Sequence, residues 1–326
     1  MSNAAPPITH ERIAATEPVI RPYIRTTPVL EVRGRDFVTA GRALGLDVAP
    51  GIADATLLLK LELTQQAGSF KARGAFANLL LRTVPAAGVV AASGGNHGAA
   101  VAHAARELGV PARIFVPTIS TPAKVERIRS YGAQLVVTGD SYADALAASE
   151  AWAEGRDVMA VHAFDQAETM LGAGTLGLEL EAQVGVPDAV IAAVGGGGLI
   201  GGTAAWFTDR TRVVGVEPEL APTLAHALAA GAPVDAPAGG IAADSLAPRQ
   251  IGRHVFPIAQ RFVHSVLVTD DAIAAAQRAL WATARVAAEP GGVTALAAVL
   301  SGRFAVAPGS RIAIVVSGGN TSAVHF

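Results

Sequence analysis

The sequence predicts an α/β protein built on mostly parallel sheets, and two observations carry this prediction. Short runs that are apolar throughout recur along the chain, and most are followed by a stretch with helical spacing. Continuously apolar strands are typical of parallel sheets that helices cover on both faces. The length of 326 residues also leaves room for two domains of roughly 100–200 residues each.

The alternation of strand and helix defines the predicted domains. In the first half, strand-like and helix-like stretches alternate at 88–92, 99–108, 112–116, 122–131, 133–138 and 141–154. Further strand-like runs lie at 189–194, 213–216, 266–268 and 312–316. We interpret 86–160 as a small domain, and 1–85 with 161–326 as a large domain that the chain leaves and re-enters. The segment 231–252, rich in Ala, Pro and Gly, predicts a long loop.

Composition excludes several classes of function. The hydrophobic fraction is 51% and the charged fraction is 16%, below the roughly 25% of a typical soluble chain, so we expect a large core and a homodimer interface. A net charge of -2 without a basic stripe argues against nucleic acid as a partner. The absence of Cys excludes disulfides, thiol catalysis and thiolate metal sites.

The predicted location follows from the lack of targeting signals. No apolar run approaches the roughly 20 residues that span a bilayer, so no membrane partner is expected. The N-terminus has no basic region followed by an apolar stretch, which predicts a cytoplasmic protein. The chain ends shortly after Asn320, and we expect no regulatory domain beyond it.

Lys71 is the first candidate for chemistry. It lies between a strand-like run at 56–62 and a helix, surrounded by Gly68, Ser69 and Phe70. Desolvation of a lysine amine lowers its pKa and makes it a nucleophile that condenses with carbonyl groups. An ordinary lysine with a solvated amine at a helix start is the alternative, and three loops elsewhere favour the reactive interpretation.

The first loop, Ser93-Gly94-Gly95-Asn96-His97, follows a strand and opens a helix. Ligands in open α/β sheets bind at the carboxyl ends of strands, and free amides at a helix start suit an anion such as a carboxylate. The glycines permit close backbone approach, while Asn96 and His97 add side-chain hydrogen bonds. A tight turn with Asn96 as helix cap is the equally open alternative.

The second loop contains four consecutive glycines, Gly195 to Gly198, followed by Leu199. Four glycines lose much conformational entropy on folding, so such a run indicates a specific use for the backbone. Convergence of several backbone amides on one phosphate is such a use, and we favour it over a simple connection. Gly196, Gly198 and Gly201 also satisfy the dinucleotide fingerprint G-x-G-x-x-G, with Glu217 about 20 residues downstream. A nicotinamide-dependent dehydrogenase is therefore a competing hypothesis.

The third loop, Ser317-Gly318-Gly319-Asn320, follows the last strand-like run. It is either a polar turn or a place where the Ser317 hydroxyl lies beside a ligand ring. Together with the other loops and with His162-Ala163-Phe164-Asp165, Glu289-Pro290 and 214–218, it makes the chain resemble a known family. The resemblance is to the fold-type-II pyridoxal-phosphate enzymes, which are tryptophan synthase β-like, and within them to threonine/serine dehydratases and serine racemases.

The resemblance implies two open, twisted, mostly parallel sheets flanked by helices, with pyridoxal phosphate in the cleft between the domains. It implies a Schiff base between the cofactor and Lys71, with Phe70 near the ring and Asn96 at its phenolic oxygen. The amides of Gly195, Gly196, Gly197, Gly198 and Leu199 would hold the phosphate, and Ser317 would face the pyridine nitrogen.

The resemblance also implies the reaction, a dehydration of L-threonine to 2-oxobutanoate or of L-serine to pyruvate, with release of ammonia. The freed Lys71 would take the Cα proton. The substrate carboxylate would dock on the loop that contains Ser93, Gly94, Asn96 and His97, with help from Ser69. Open alternatives are a dehydratase or racemase for another 3-hydroxy amino acid such as 3-hydroxyaspartate, and a non-catalytic amino-acid sensor.

Two departures from the family pattern change these expectations. Related racemases carry a serine where this chain has Gly94, so we expect weak racemisation. Several relatives bind a divalent cation through a glutamate, a carbonyl and an aspartate; Glu217 and Ala221 match the first two ligands, whereas Thr223 replaces the third. Loss of a hard carboxylate weakens such a site, and a buried or capping role for Glu217 has equal weight.

Overall fold

The computed structural model describes residues 8–118, 120, 122–246 and 248–321, and two open sheets organise them. The strands are β1 (Val29–Arg33), β2 (Thr56–Lys60), β3 (Val89–Ala92), β4 (Ala112–Val116), β5 (Gln134–Val137), β6 (Met159–Ala160), β7 (Ala189–Ala193), β8 (Arg212–Pro218), β9 (Val263–Val268) and β10 (Arg311–Val315).

The first helices are α1 (His10–Ile20), α2 (Gly34–Ala43), α3 (Lys71–Leu81), α4 (Asn96–Glu107), α5 (Pro122–Ser130), α6 (Tyr142–Ala153) and α7 (Ala167–Val184). The remaining helices are α8 (Gly198–Phe207), α9 (Thr223–Ala230), α10 (Ala243–Leu246), α11 (Phe256–Phe262), α12 (Asp270–Ala284) and α13 (Pro290–Leu300). Among the described residues, none of these helices combines the length and apolar character that crossing a bilayer requires.

The larger sheet has six strands in the order β1-β2-β10-β7-β8-β9. Only β1 runs antiparallel to its neighbour; the pairs β2–β10, β10–β7, β7–β8 and β8–β9 are parallel. Every residue of β7 is buried, which agrees with the continuous apolar pattern of its sequence. Helices cover both faces of the sheet, and two separate hydrophobic clusters fill the spaces between helices and strands.

The smaller sheet has four parallel strands in the order β5-β4-β3-β6, all between residues 89 and 160. Helix α4 packs on one face and α6 on the other, each over its own apolar cluster. The prediction of α/β architecture with mostly parallel sheets is confirmed. The domain bounds inferred from the sequence stay a prediction.

The segment 231–252 differs from its prediction as one long loop, because it contains the short helix α10. The amide of Leu246 donates to the carbonyl of Ala242, and both side chains are buried in the core beside the larger sheet. Burial of these two apolar side chains explains why a segment rich in Ala, Pro and Gly makes a helical turn here. Strands β8 and β9 also extend beyond the runs predicted from the sequence.

Candidate active site

A cavity of about 300 Å³ lies where loops after β3, β7 and β10 meet. Because the carboxyl ends of parallel strands share one edge of a sheet, these loops converge although they are far apart in sequence. The following predicted residues line the cavity: Phe70, Lys71, Ser93, Gly94, Asn96, His97, Gly195, Gly196, Gly197, Gly198, Leu199 and Ser317. Ser69, Glu217 and Ala221 are not among the lining residues.

Lys71 is the first residue of α3 and points its amine at the cavity wall. Its Nζ donates a 2.6 Å hydrogen bond to the carbonyl oxygen of Ala163 and lies 5.1 Å from the centroid of the Phe70 ring. Burial lowers the pKa of Lys71 to about 8 because the charged form loses its solvation. A substantial fraction of the amine is therefore neutral near physiological pH, as a nucleophile or base requires.

The backbone before Lys71 is held by the loop after β10. The amide of Phe70 donates to the carbonyl of Ser317 at 3.1 Å, and the amide of Gly319 donates to the carbonyl of Gly68 at 3.0 Å. Ala67 adopts a left-handed conformation with φ of 56°, which is unfavourable for a residue with a β-carbon. The Asn320 side chain donates to the carbonyl of Ala67 at 2.9 Å and holds this turn in place.

Ser69 lies behind the cavity wall instead of in it. The residue is fully buried, and its Oγ has no hydrogen-bond partner among the described residues. An unpaired buried hydroxyl is unfavourable, so a polar partner for this atom would stabilise the site. Contact between Ser69 and a substrate stays a prediction.

The loop after β3 presents polar groups to the cavity from the side of the smaller sheet. Ser93 Oγ accepts a hydrogen bond from the amide of Gly95 at 3.1 Å. Asn96 opens α4, and its Oδ1 accepts from the Asn320 side chain at 2.6 Å. The His97 Nε2–H donates to the carbonyl of Val161 at 2.9 Å. Desolvation, with Lys71 as a smaller cause, lowers the pKa of His97 to about 3, so its imidazole is neutral.

Gly94 has no room for a side chain as the cavity stands. A β-carbon at this position would lie 1.9 Å from Oγ of Ser120, a residue that also lines the cavity. A hydroxyl therefore occupies the space beside residue 94 although that residue has none. The sequence contains no local signal for this contact, because residue 120 follows a different strand.

The four glycines link β7 to α8, and at Gly196 and Gly197 the structure requires glycine. A β-carbon at Gly196 would lie 2.3 Å from the Phe164 ring, and Gly197 has a φ of 89°. The amide of Gly201 makes a hydrogen bond to the carbonyl of Gly197 at the start of α8. The amides that precede it in the helix start have no i→i−4 partner, so they are oriented to bind an anion.

Two polar residues, Ser317 and Glu289, line the cavity on the side of the larger sheet. Ser317 follows β10, is 5% exposed, and offers a neutral hydroxyl that is 3.5 Å from the carbonyl oxygen of Gly291. Glu289 immediately precedes α13, and burial raises the pKa of its carboxyl group to about 7. Glu289 has no role assigned from the sequence beyond the family resemblance; Pro290 indicates a helix start there but does not place that start beside the cavity.

Glu217, the predicted metal ligand, acts in the structure as a helix cap. Its two carboxylate oxygens accept from the amides of Leu224 at 2.5 Å and Ala225 at 2.9 Å, in the first turn of α9. Burial raises the pKa of Glu217 to about 7. In the described ranges, no group of three or more His, Cys, Asp or Glu side chains could hold a metal ion. A cation at Glu217 and Ala221 stays a prediction.

Comparison with known proteins places this cavity in a family. Residues 23–318 match the family described as "Pyridoxal-phosphate dependent enzyme". The phenylserine dehydratase of Ralstonia pickettii is 37% identical over 322 residues, which covers 96% of this chain and 94% of that protein.

Two solved structures agree over almost the whole chain. The T.th. threonine deaminase has a TM-score of 0.84 and 35% identity, covering 97% of this chain and 100% of that one. Maize serine racemase has a TM-score of 0.86 and 32% identity, covering 97% and 94%.

These matches also decide against the nicotinamide-dependent dehydrogenase that the G-x-G-x-x-G spacing left open. Glu217, which a dehydrogenase would use to bind a ribose, is fully buried and capped onto α9. The chain belongs to the fold-type-II pyridoxal-phosphate enzymes, in the family of threonine dehydratases and serine racemases.

Proposed function

We propose that the protein dehydrates and deaminates L-threonine or L-serine to a 2-oxo acid and ammonia. The observation that carries this proposal is the buried amine of Lys71, with a pKa lowered to about 8, in one cavity with the tetraglycine loop and Ser317. The family performs pyridoxal-phosphate-dependent β-elimination, and the substrate is the part that we propose.

The residues of the cavity fit pyridoxal phosphate. Lys71 offers an amine for its aldehyde, the start of α8 offers amides for its phosphate, and Ser317 offers a hydroxyl for its ring nitrogen. The four glycines line the cavity, and a β-carbon on Gly196 or Gly197 would collide with neighbouring side chains, so this close-packed turn beside the cavity requires glycine at both positions. When bound, the cofactor supplies an aldehyde that captures amines and a conjugated ring that withdraws electrons from Cα.

Lys71 is the group that we assign to move the Cα proton. Its lowered pKa keeps part of the amine neutral, and the Ala163 carbonyl accepts its hydrogen bond and so fixes its direction. Lys71 then holds that proton on the cavity wall. His97 is an unsuitable base because its Nε2–H is already committed to Val161 and its pKa is about 3.

The substrate carboxylate is assigned to the loop after β3. Ser93 and Asn96 line the cavity there, and α4 begins at Asn96 with its amides directed to this end. Ser317 also lines the cavity and presents a neutral hydroxyl instead of a carboxylate, so this residue would not supply an anion that holds a proton on the ring nitrogen. That arrangement favours loss of the β-hydroxyl over transamination.

A second candidate substrate is 3-phenylserine. The observation that favours it is the similarity to a phenylserine dehydratase over 96% of this chain. Tyr142, Phe164 and Pro117 line the cavity and offer apolar surface to a phenyl group. The homodimer expected from composition and the cytoplasmic location expected from the lack of targeting signals stay predictions.

The test is a panel of L-threonine, L-serine and 3-phenylserine with purified holoenzyme, in which ammonia and the 2-oxo acid are both measured. We expect one of the three to give equal amounts of the two products. Lys71→Ala should abolish turnover, and Lys71→Arg, which keeps a positive charge but remains protonated, should also be inactive. Circular dichroism should show that both variants are folded. Substantial ammonia release by either variant would rule Lys71 out as the essential base.

A further inference from the structure

An ion pair between Lys124 and Asp244 lies on the cavity wall and joins its two sides. Lys124 belongs to α5, beside the four-stranded sheet, and Asp244 belongs to α10, which packs beside the six-stranded sheet. The Nζ of Lys124 contacts Oδ2 of Asp244 directly, and both residues line the cavity. By contrast, the exposed pair of Arg129 with Glu126 lies within a single helix.

The pair neutralises the charge on this part of the wall. The Lys124 side chain is 20% exposed and that of Asp244 is 48% exposed, so the pair is partly desolvated and Asp244 is its more accessible member. A second carboxylate that approaches Lys124 would compete with Asp244 for its ammonium group and would be repelled by the Asp244 carboxylate. Like charges in a partly desolvated site disfavour each other strongly, whereas a neutral side chain meets no such barrier.

The pair is also adjacent to the loop assigned to the substrate carboxylate. A β-carbon built on Gly95 would lie 3.4 Å from the backbone oxygen of Asp244, so α10 packs against that loop. An amino acid whose α-carboxylate is held between Ser93 and His97 therefore has the Lys124–Asp244 pair as a neighbour. The Lys124–Asp244 pair therefore acts on the side chain of the substrate and not on its α-carboxylate.

We propose that Asp244 is a specificity-determining residue: by engaging Lys124 it makes the site select 3-hydroxy amino acids with neutral side chains and reject those with a second carboxylate, such as 3-hydroxyaspartate. The proposal rests on the proposed function, because it assumes an amino acid bound on the loop after β3. It assigns Lys124 as the cation that would accept a side-chain carboxylate once Asp244 is removed.

The test compares binding of L-2-aminobutyrate and L-aspartate to holoenzyme by titration calorimetry, since neither has a 3-hydroxyl group to eliminate. The wild type should bind L-2-aminobutyrate more tightly. Asp244→Asn should shift the ratio of the two Kd values by about tenfold in favour of L-aspartate. Asp235→Asn, an equal charge change on an exposed residue that does not line the cavity, is the matched control and should leave the ratio unchanged.

A double variant identifies the cation. Adding Lys124→Met to Asp244→Asn should return the ratio to its wild-type value, because the side chain keeps its length and loses its charge. An unchanged ratio in Asp244→Asn would overturn the proposal. So would a Lys124→Met variant that weakens both ligands equally, since Lys124 would then bind the α-carboxylate that the two ligands share.

The outcome separates this proposal from the proposed function. Turnover of a 3-hydroxy amino acid with an unchanged Kd ratio would overturn the specificity role alone. A shifted ratio without turnover of any substrate in the panel would overturn the proposed reaction and leave the role of Asp244 intact. A holoenzyme that binds neither amino acid would overturn both.

Discussion

The side-chain amide of Asn96 donates a 2.5 Å hydrogen bond to Oε1 of Glu289, a carboxyl group that is only 4% exposed. Asn96 opens α4 next to the smaller sheet, whereas Glu289 precedes α13 next to the larger one. Their contact therefore connects the two sides of the cavity through a group whose pKa is raised to about 7 by burial. The charge of the Glu289 carboxyl group therefore changes within the physiological pH range.

The first prediction concerns the pH dependence of stability. Burial raises the pKa of Glu289 from 4.5 to about 7, so between these values the folded protein holds a proton that the unfolded chain releases. The free energy of unfolding should therefore fall as pH rises through this window and stay lower above it. Glu289→Gln is neutral throughout and should lose less stability between pH 5 and pH 8, as measured by urea denaturation without cofactor. The exposed acid Glu31, changed to Gln, is the control, and three equal pH slopes would contradict the prediction.

The second prediction isolates the glycine loop. Gly197→Ala combines an unfavourable positive φ, which costs on the order of 1–3 kcal/mol, with a β-carbon 2.6 Å from side-chain atoms of Ile251 and Val255. Gly231→Ala has a similar φ of 70° and open space around its β-carbon, so it carries the backbone cost alone. Both should lower the free energy of unfolding, but Gly197→Ala alone should weaken pyridoxal-phosphate binding. If an absorbance titration gave Gly197→Ala and Gly231→Ala the same affinity for pyridoxal phosphate, the prediction would be contradicted, because the glycine loop would then bind the cofactor even when a β-carbon displaces it.

The third prediction concerns racemisation. Gly94→Ser alone would place its β-carbon 1.9 Å from Oγ and 2.9 Å from Cβ of Ser120, so the new side chain has no room. We expect this single variant to lose activity without a gain in racemisation. Gly94→Ser with Ser120→Gly removes the obstruction and should raise the ratio of racemisation to elimination of L-serine, measured by chiral chromatography. Ser120→Gly alone is the control; if it gives the same ratio as the double variant, residue 94 does not limit proton transfer.

The fourth prediction concerns the buried charges beneath α3. Arg73 donates to Glu62 through Nε and Nη2, both at 2.8 Å, and its Nη2 lies 3.0 Å from Glu179. Arg73→Met should cost about 3–5 kcal/mol in the free energy of unfolding, because it leaves the buried carboxylate of Glu62 without its cation. Arg303→Met, which removes an exposed ion pair, should cost no more than about 1 kcal/mol. Equal losses in the free energy of unfolding for the two variants, measured by denaturant titration, would mean that the buried ion pairs stabilise the fold no more than the exposed one.

The meeting of Lys71 and the four-glycine loop in one cavity could be predicted from the sequence for a physical reason. Ser93, Gly195 and Ser317 each follow a strand of a parallel sheet closely, and such ends converge in space whatever their separation along the chain. The strand patterns were strong because these strands are buried on both faces. The family resemblance supplied the identity of the cofactor, which spacing alone left open between pyridoxal phosphate and a dinucleotide.

The features that escaped prediction depend on contacts between distant segments. Ser120 fills the space beside Gly94 because the turn after β4 lies against the loop after β3, and no local pattern records that approach. Glu217 caps α9 by accepting from amides seven and eight residues later. In the sequence, an acid at the end of a strand looks the same whether it caps a helix, binds a ribose or binds a metal. The Lys124–Asp244 pair joins residues 120 positions apart.

The position of β10 in the larger sheet has a consequence for biosynthesis. Because β10 inserts between β2 and β7, a ribosome-bound chain that has not yet released residues 311–315 holds two central strands with unsatisfied edges. Such a nascent chain exposes the aggregation-prone surface that chaperones cover. Cotranslational maturation of this enzyme must therefore wait for β10.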